Sequence, residues 1–285
     1  MPELPEVETV KRGLEKFILN KKITQVKVLC KKSFISEEKY FNINPEIINI
    51  RRFGKALVID LDNEHSLMIH LRMTGQLIWR GQENFAAGHP SENFISELPN
   101  KQTRMIFEFE DGVLYFNDQR KFGFVKYLLT KEVEQDDFIR KLGKEPWKMS
   151  AEELFSQCQR HKKASIKAVL LDQKVIAGIG NIYADEALFY AGVHPATLAG
   201  KLNLKEVEKI LEGVCEVMDA SIQSGGSTMK TYVRADGSRG DYLEKFAKVF
   251  RREGEKCEKC GTKICKIRVV GRGTHFCPKC QKEKK

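Results

Sequence analysis

The chain has 285 residues, of which 41% are hydrophobic and 31% charged, and its formal net charge is +10 at pH 7. Its length predicts about two domains with substantial cores. No apolar run approaches the roughly 18–20 residues of a membrane span, and the charged opening lacks the apolar core of a secretory signal. Together with four singly scattered cysteines outside the two C-x-x-C pairs described below, this predicts a cytoplasmic protein without membrane contact.

The opening segment is predicted to be a helix. Val7, Val10, Leu14 and Phe17 recur at helical spacing, and Pro5 suits a first helical turn. Acidic residues in this first turn suit the positive end of the helix dipole.

Short strand-like runs dominate residues 23–129. They read I-T-Q-V-K-V-L, A-L-V-I-D-L, S-L-M-I-H-L, M-I-F-E-F-E, V-L-Y-F and F-V-K-Y-L-L. Turn signals such as Asp62-Asn63 and Asp111-Gly112 separate several of them. Because no helical pattern intervenes, we expect an antiparallel sandwich or barrel. Residues 131–150, with four acids before Gly143 and then Pro146, predict a linker.

The apolar period becomes helical beyond residue 150. Two short helices are predicted around residues 164–172 and 182–191, with Asn181 capping the second. A long amphipathic helix follows, with Asn203 as its cap. Residues 224–241 carry four glycines and no apolar period, which predicts a mobile loop.

Two C-x-x-C pairs, Cys257/Cys260 and Cys277/Cys280, lie sixteen residues apart near the end of the chain. This spacing is typical of a four-thiolate zinc site, and two structural disulfides are the alternative. Cys265 and His275 lie between the pairs and are other potential ligands, but the paired spacing favours the four cysteines. Residues 245–285 hold 14 Lys or Arg against 4 Glu, so the whole excess charge lies here. A polyanion is therefore the expected partner, nucleic acid above all.

The first residues could carry chemistry. Removal of Met1 would expose Pro2 as a secondary amine, and an α-amino group has a reference pKa near 7.7–8.0 that leaves some of it neutral. A neutral amine can attack an electrophilic sugar carbon, and the carboxyl of Glu3 could move protons. Pro-Glu is also a common device for starting a helix, and composition alone leaves both interpretations open.

Five motifs, in order along the chain, carry a resemblance to a known family. They are P-E-L-P-E-V-E-T-V at 2–10, H-L-R-M-T-G-Q-L at 70–77, D-Q-R-K-F-G at 118–123, G-I-G-N-I-Y-A-D-E at 178–186 and G-R-G-T-H-F-C-P-K-C at 271–280. The chain thus resembles bacterial formamidopyrimidine-DNA glycosylase. The resemblance implies an α+β multidomain fold with an N-terminal β-sandwich, a helix-two-turns-helix domain and a C-terminal zinc finger. It also implies excision of oxidised purines such as 8-oxoguanine and formamidopyrimidines from duplex DNA, followed by strand cleavage through β,δ-elimination at the abasic site.

The resemblance also implies roles for particular residues. Pro2 resembles the Schiff-base nucleophile, Glu3 the general acid and base, and Glu6 a group that orients the terminus or a water. Further DNA contacts are implied at these positions: Lys55 and Arg272 gripping phosphates beside the lesion, Met73, Arg120 and Phe122 filling the space left by the everted nucleotide, Asn181 on backbone phosphate, and Lys167 as a further basic contact.

The expected layout follows from these assignments. Residues 1–130 form the catalytic sandwich, 131–150 the linker, 151–244 the helical DNA-binding domain with a lesion-capping loop at 224–241, and 245–285 the finger with one structural zinc ion. We expect a bacterial, nucleoid-associated monomer. Two alternatives remain: an endonuclease VIII-like enzyme for oxidised pyrimidines, and a non-catalytic zinc-ribbon protein that binds DNA.

Overall fold

The computed structural model describes residues 1–36, 44–89, 96–225 and 246–284. They divide into two compact units, the first formed mainly by Met1–Arg140 and the second by Lys141–Gln223 together with residues 246–284. The predicted capping loop at 224–241 lies almost entirely outside the described residues. Within the described ranges, no helix combines the length and the apolar character that crossing a bilayer requires.

The first unit is the predicted β-sandwich. Its described strands are β1 (Gln25–Val28), β2 (Phe34–Ser36), β3 (Ile47–Phe53), β4 (Ala56–Leu61), β5 (His65–His70), β6 (Gly75–Gly81), β7 (Phe85–Gly88), β8 (Thr103–Phe109), β9 (Gly112–Asp118) and β10 (Phe124–Leu129). One sheet has the order β1-β8-β9-β6-β7 and the other β2-β10-β5-β4-β3. The central strands β4 and β5 are buried at every position.

The predicted opening helix is α1 (Leu4–Ile18), which packs against β3, β4 and β7. Its apolar positions Val7, Val10, Leu14 and Phe17 are all buried. They join one large core cluster with side chains of both sheets. The helix is therefore held by a shared core, and its first residues are fixed against the sandwich.

The structure differs from the predicted antiparallel pattern at one edge. β2 runs parallel to β10, with Phe34 opposite Val125. The other strand pairs of the sandwich are antiparallel within the described residues. A parallel neighbour must come from a distant part of the chain, so local alternation could not reveal it.

Residues 131–140, predicted as the first half of a linker, belong to the first unit. They form a 3₁₀ segment, Thr130–Gln135, and the short helix α2 (Asp137–Arg140). Val133 and Ile139 are buried against Met68 and Leu128 of the sheet. The linker was predicted from the acidic composition of the segment, which gives no weight to these two buried apolar side chains.

The second unit contains α3 (Ala151–Arg160), α4 (Ile166–Leu171), α5 (Asn181–Ala191) and α6 (Leu204–Gln223). The predicted cap of the long helix is confirmed: Asn203 Oδ1 accepts the Glu206 N–H at 3.0 Å, and the Glu206 carboxylate accepts the Asn203 N–H at 3.0 Å. The predicted cap of α5 is wrong. Gly180 is the N-cap, and Asn181 is the first helical residue.

The finger continues the second unit. Its hairpin consists of β11 (Cys265–Val269) and β12 (Arg272–Phe276). A small core joins it to α5, made by the side chains of Phe189, Val249, Cys257, Ile264 and Cys277. The helical segment and the finger, predicted as separate domains, thus form one compact body.

Candidate active site and nucleic-acid interface

The start of the chain is tightly held. Pro2 is buried, and Glu3 is 4% exposed at the N-cap position of α1. The Glu6 carboxylate turns back to accept the Glu3 backbone N–H at 2.8 Å. A carboxylate in the first turn of a helix satisfies an amide that the helix itself leaves unpaired. The segment that would present a terminal amine therefore has a fixed direction.

Glu8 ties this helix to the turn that carries Lys55. Its carboxylate accepts from Arg52 Nε at 2.9 Å and from Arg12 Nε at 2.9 Å. Burial alone would raise the Glu8 pKa, but the two guanidinium groups lower it overall and keep the carboxylate ionised. Arg52 also donates to the Gly54 carbonyl at 3.0 Å. The backbone beside Lys55 is thus fixed to α1.

A neutral histidine lies beside Lys55. His70 faces Ala56 across β4 and β5, and the ring accepts the Arg72 N–H on Nδ1 at 2.9 Å. Burial, with the nearby charges of Arg72 and Lys55, lowers the His70 pKa to about 3. The ring is therefore neutral at pH 7 with its proton on Nε2. The sequence analysis used only Met73 of this H-L-R-M-T-G motif, and the histidine that opens it was missed.

One buried carboxylate joins the two loops that carry Met73, Arg120 and Phe122. Asp118, fully buried, accepts the Thr74 hydroxyl and the Arg120 N–H on Oδ1, the latter at 3.2 Å. Its Oδ2 accepts the Gly123 N–H at 2.7 Å. The turn after β5 and the loop after β9 are therefore held together, which brings the three predicted DNA-inserting residues to one edge of the sandwich.

The side chains on these loops face outward. Phe122 is 55% exposed, and the Arg120 guanidinium lies over its ring at 4.9 Å from the centroid. An exposed aromatic ring of this size often marks a surface that a partner covers. The guanidinium stacked on the ring favours a partner that carries negative charge. Met73 is half-buried beside them.

The four predicted metal ligands are brought together in the finger. The sulfur atoms of Cys257, Cys260, Cys277 and Cys280 lie within 4.8 Å of one another. None of the eight cysteines forms a disulfide, so the disulfide alternative is wrong. Cys265 and His275 lie outside this cluster. Four thiolates at this separation suit one tetrahedral zinc ion and leave it no open coordination position.

Residues 273–275 of β12 are each bound by a side chain from α4 or α5. Asn181 Nδ2 donates to the Gly273 carbonyl at 3.0 Å, and Lys167 Nζ donates to Thr274 Oγ1 at 2.8 Å. Asp185 Oδ2 accepts the His275 N–H at 2.8 Å. These contacts fix the register of the strand that begins with Arg272, so Arg272 and Asn181 lie close together in this unit.

The structure contradicts the predicted DNA contact of Lys167. The side chain is 0% exposed, and its ammonium lies 2.5 Å from Asp185 Oδ1, which is also 0% exposed. A buried ion pair cannot also reach a phosphate in solution. Lys167 instead joins α4, α5 and the finger.

We therefore expect the variant Lys167→Met to lower the stability of the second unit without changing its electrostatic contact with DNA. Removing one partner leaves the Asp185 charge buried alone, which typically costs about 3–5 kcal/mol. Thermal unfolding and resistance to a zinc chelator measure the loss. Lys163→Met, at an exposed position of the same segment, should change stability little. If the slope of log K against log salt became less negative by about 0.9 in Lys167→Met, the result would instead support a phosphate contact by Lys167.

Glu186 binds the backbone of residues 248–250, which lead into the finger. The sequence analysis did not identify this role of Glu186. Its buried carboxylate accepts the backbone N–H groups of Lys248, Val249 and Phe250 at 2.7, 2.9 and 2.7 Å. Burial raises the Glu186 pKa, although these three bonds oppose the shift. Asp185 and Glu186, adjacent in the A-D-E end of the G-I-G-N motif, thus hold both sides of the finger.

Comparison with known proteins agrees with this architecture. Residues 1–125 match the formamidopyrimidine-DNA glycosylase N-terminal domain, residues 142–233 its H2TH domain, and residues 254–282 the zinc finger found in FPG and IleRS. The chain belongs to the formamidopyrimidine-DNA glycosylase family. The family's zinc finger and the four-sulfur cluster together assign one structural zinc ion. The alternative of a non-catalytic zinc-ribbon protein would account only for the finger. It does not account for the match of residues 1–125 to the N-terminal domain of the glycosylase.

Relatives and solved structures of the glycosylase family span the whole chain. The formamidopyrimidine-DNA glycosylase of Ligilactobacillus salivarius is 40% identical over 286 residues, covering 99% of each chain. That of Desulfitobacterium hafniense is 39% identical over 287 residues, covering 99% of this chain and 100% of the relative. The Lactococcus lactis enzyme in complex with abasic-site DNA superposes with a TM-score of 0.86 at 33% identity, covering 99% of this chain and 100% of that one.

Proposed function

We propose that this protein is a base-excision-repair DNA glycosylase that removes oxidised purines from duplex DNA and then cleaves the strand as an abasic-site lyase. The observation that carries the proposal is the family match over the entire chain, with Pro2 and Glu3 buried at the start of α1. The domain and residue roles below rest on this match and on the geometry of each unit.

The chemistry begins with Pro2 once Met1 is removed. The lone pair of its secondary amine attacks C1′ of the damaged nucleotide, the bond to the base breaks, and the base leaves with the bonding electrons and a proton. Opening of the sugar ring gives an iminium ion. Glu3 is assigned the transfer of protons to and from the sugar. Glu6 holds the Glu3 amide and so directs the segment that carries both groups.

The iminium ion then permits strand cleavage. It acidifies the neighbouring C2′–H bond, so loss of that proton expels the 3′ phosphate, and a second elimination expels the 5′ phosphate. No step requires a Lewis acid. The finger zinc, held by four thiolates, supplies folding energy rather than a reactive coordination position.

The everted nucleotide leaves a hole in the duplex that the protein must fill. Unstacking and extrusion cost a few kcal/mol, which inserted side chains can offset. Met73, Arg120 and Phe122 are assigned this role because Asp118 holds their loops together and Phe122 is exposed with Arg120 stacked on it. A flexible thioether, a planar cation and an aromatic ring suit an orphan base and its neighbours.

Phosphate binding is assigned to three positions. Lys55 lies beside the neutral His70 in the first unit; it is 5% exposed, so the phosphate would have to come close to the turn between β3 and β4. In the second unit, Asn181 opens α5, where helix amides favour an anion, and the exposed Arg272 follows the finger turn. We also propose that one chain suffices, because it supplies every assigned group, and that it works in a reducing cytoplasm, where its cysteines stay reduced.

Borohydride trapping tests the proposal. An 8-oxoguanine:cytosine duplex should give a covalent complex with protein that lacks Met1, and mass spectrometry should locate the sugar remnant on Pro2. Protein that retains Met1 has a tertiary amide at Pro2 and should give no complex. Equal trapping with and without Met1 would exclude Pro2, and a remnant on an internal side chain would overturn the mechanism.

Excision of oxidised pyrimidines is the second candidate activity. A solved structure of the Lactococcus lactis FPG, 31% identical to this chain with a TM-score of 0.86, is a complex with DNA that contains an oxidised pyrimidine. Parallel duplexes with 8-oxoguanine or thymine glycol, opposite cytosine or adenine, separate the two activities. Faster single-turnover excision of thymine glycol would favour an endonuclease VIII-like specificity.

A further inference from the structure

The tip of the finger hairpin contains an unfavourable residue. Val269 and Arg272 pair across β11 and β12, so Val270 and Gly271 form a two-residue turn. Both have positive φ, 49° at Val270 and 71° at Gly271, as in a type I′ turn. Such turns favour asparagine, aspartate or glycine at the first position, whereas a β-branched side chain is strained in the left-handed region.

Packing inside the protein does little to offset this strain. Val270 is 58% exposed, the largest exposed fraction among the described large hydrophobic residues. A Cβ atom added at the neighbouring Gly271 would meet nothing within 4 Å, so the space around the tip is open. Strain at an exposed position is a feature that often marks a binding site.

The surroundings of the tip indicate the chemistry of its partner. Arg268 and Arg272 flank the turn, both are exposed, and neither makes an ion pair with any described residue. Residues 245–285 carry 14 Lys or Arg against 4 Glu. The partner must therefore offer negative charge on both sides of an apolar surface. A DNA strand has this pattern, because deoxyribose rings alternate with phosphates along it.

We propose that Val270 is a DNA-contact residue that packs against a deoxyribose next to the phosphate held by Arg272. This assignment rests on the proposed function and adds to it an apolar contact by the finger. The Val270 side chain is exposed at the turn, two residues before Arg272 in the chain. The strain is retained because the more favourable asparagine would replace the apolar contact with a polar group.

The full-length, zinc-loaded variant Val270→Asn tests the inference through two opposite effects. Asparagine suits the turn, so release of zinc to a chelator should become about 3–10-fold slower. Affinity for a duplex that contains a tetrahydrofuran abasic analogue, measured by fluorescence anisotropy, should fall about 5–10-fold because the apolar contact is lost. The slope of log K against log salt should not change. Arg272→Ala should make that slope less negative by about 0.9, since a phosphate contact is removed.

Val270→Ile is the matched control, since it keeps both the strained backbone and the apolar side chain. It should release zinc at the wild-type rate and bind DNA within about twofold of wild type. Wild-type affinity in Val270→Asn would overturn the inference, as would a loss of affinity accompanied by a smaller salt slope, which would show that Arg272 had moved. Failure of the wild-type protein itself to bind the abasic duplex more tightly than undamaged DNA would instead contradict the proposed function.

Discussion

Replacement of Glu3 by glutamine is expected to slow base excision by about 10²–10⁴-fold, the usual contribution of a positioned proton-transfer group. Glutamine has the size of glutamate and keeps an acceptor oxygen at the N-cap of α1, but it cannot give or take the proton. Binding to damaged DNA should change little, because the side chain is 4% exposed and carries no assigned phosphate contact.

The measurement must separate catalysis from helix capping. Loss of a cap alone costs about 0.5–2 kcal/mol of stability and would lower the melting temperature without removing excision. Single-turnover excision at saturating enzyme, with the affinity for an uncleaved duplex measured in parallel, distinguishes the two roles. Glu15→Gln is a suitable control on the same helix, since the one ion pair that Glu15 forms among the described residues is with the partly exposed Lys11. Normal excision by Glu3→Gln would remove Glu3 from the proposed mechanism.

Loss of the zinc ion is expected to abolish detectable binding to damaged DNA and therefore excision. Binding of a structural zinc ion contributes about 10–16 kcal/mol in isolated fingers, and that energy is folding energy. Here the ligands Cys257 and Cys277 also form a core with Phe189 of α5. Without the ion this core opens, and the hairpin no longer holds Arg272 beside Asn181.

Cys277→Ser tests this expectation, because Cys277 is fully buried and is one of the four ligands. Cys265→Ser is the matched control: it removes a finger cysteine outside the cluster and should keep one zinc ion per chain and normal affinity. Metal content by mass spectrometry and DNA affinity by anisotropy are the two measurements. Normal affinity in a Cys277→Ser protein with verified metal loss would show that the finger does not position the DNA contacts.

Much of the architecture could be predicted because it depends on patterns between neighbouring residues in the sequence. Short strand-like runs between turn signals predicted the sandwich strands, and helical spacing predicted α1 and α6. The C-x-x-C pairs predicted the zinc site because paired cysteines have few other uses at this spacing. The first half of the predicted linker instead packs on the sheet, for a physical reason. Val133 and Ile139 are two apolar residues in an acidic segment, and both are buried.

The side-chain roles were harder to predict because they depend on distant partners. Lys167 resembled an exposed basic contact, and only its pairing with Asp185 and Thr274 reveals a buried lysine. Asn181 was predicted as a cap, but its amide is used by Gly273 of the finger. Glu186 gave no local signal at all, since its three donors lie more than sixty residues away.

Asp118 has a consequence for how the two loops that carry Met73, Arg120 and Phe122 can change. A single carboxylate binds the loop of Thr74 and the loop that runs from Arg120 to Gly123. Because both loops bind the same carboxylate, a shift of one loop moves Asp118 and therefore the other loop. Substitutions on the two loops should therefore show epistasis, so that the effect of a change on one loop depends on the residues of the other.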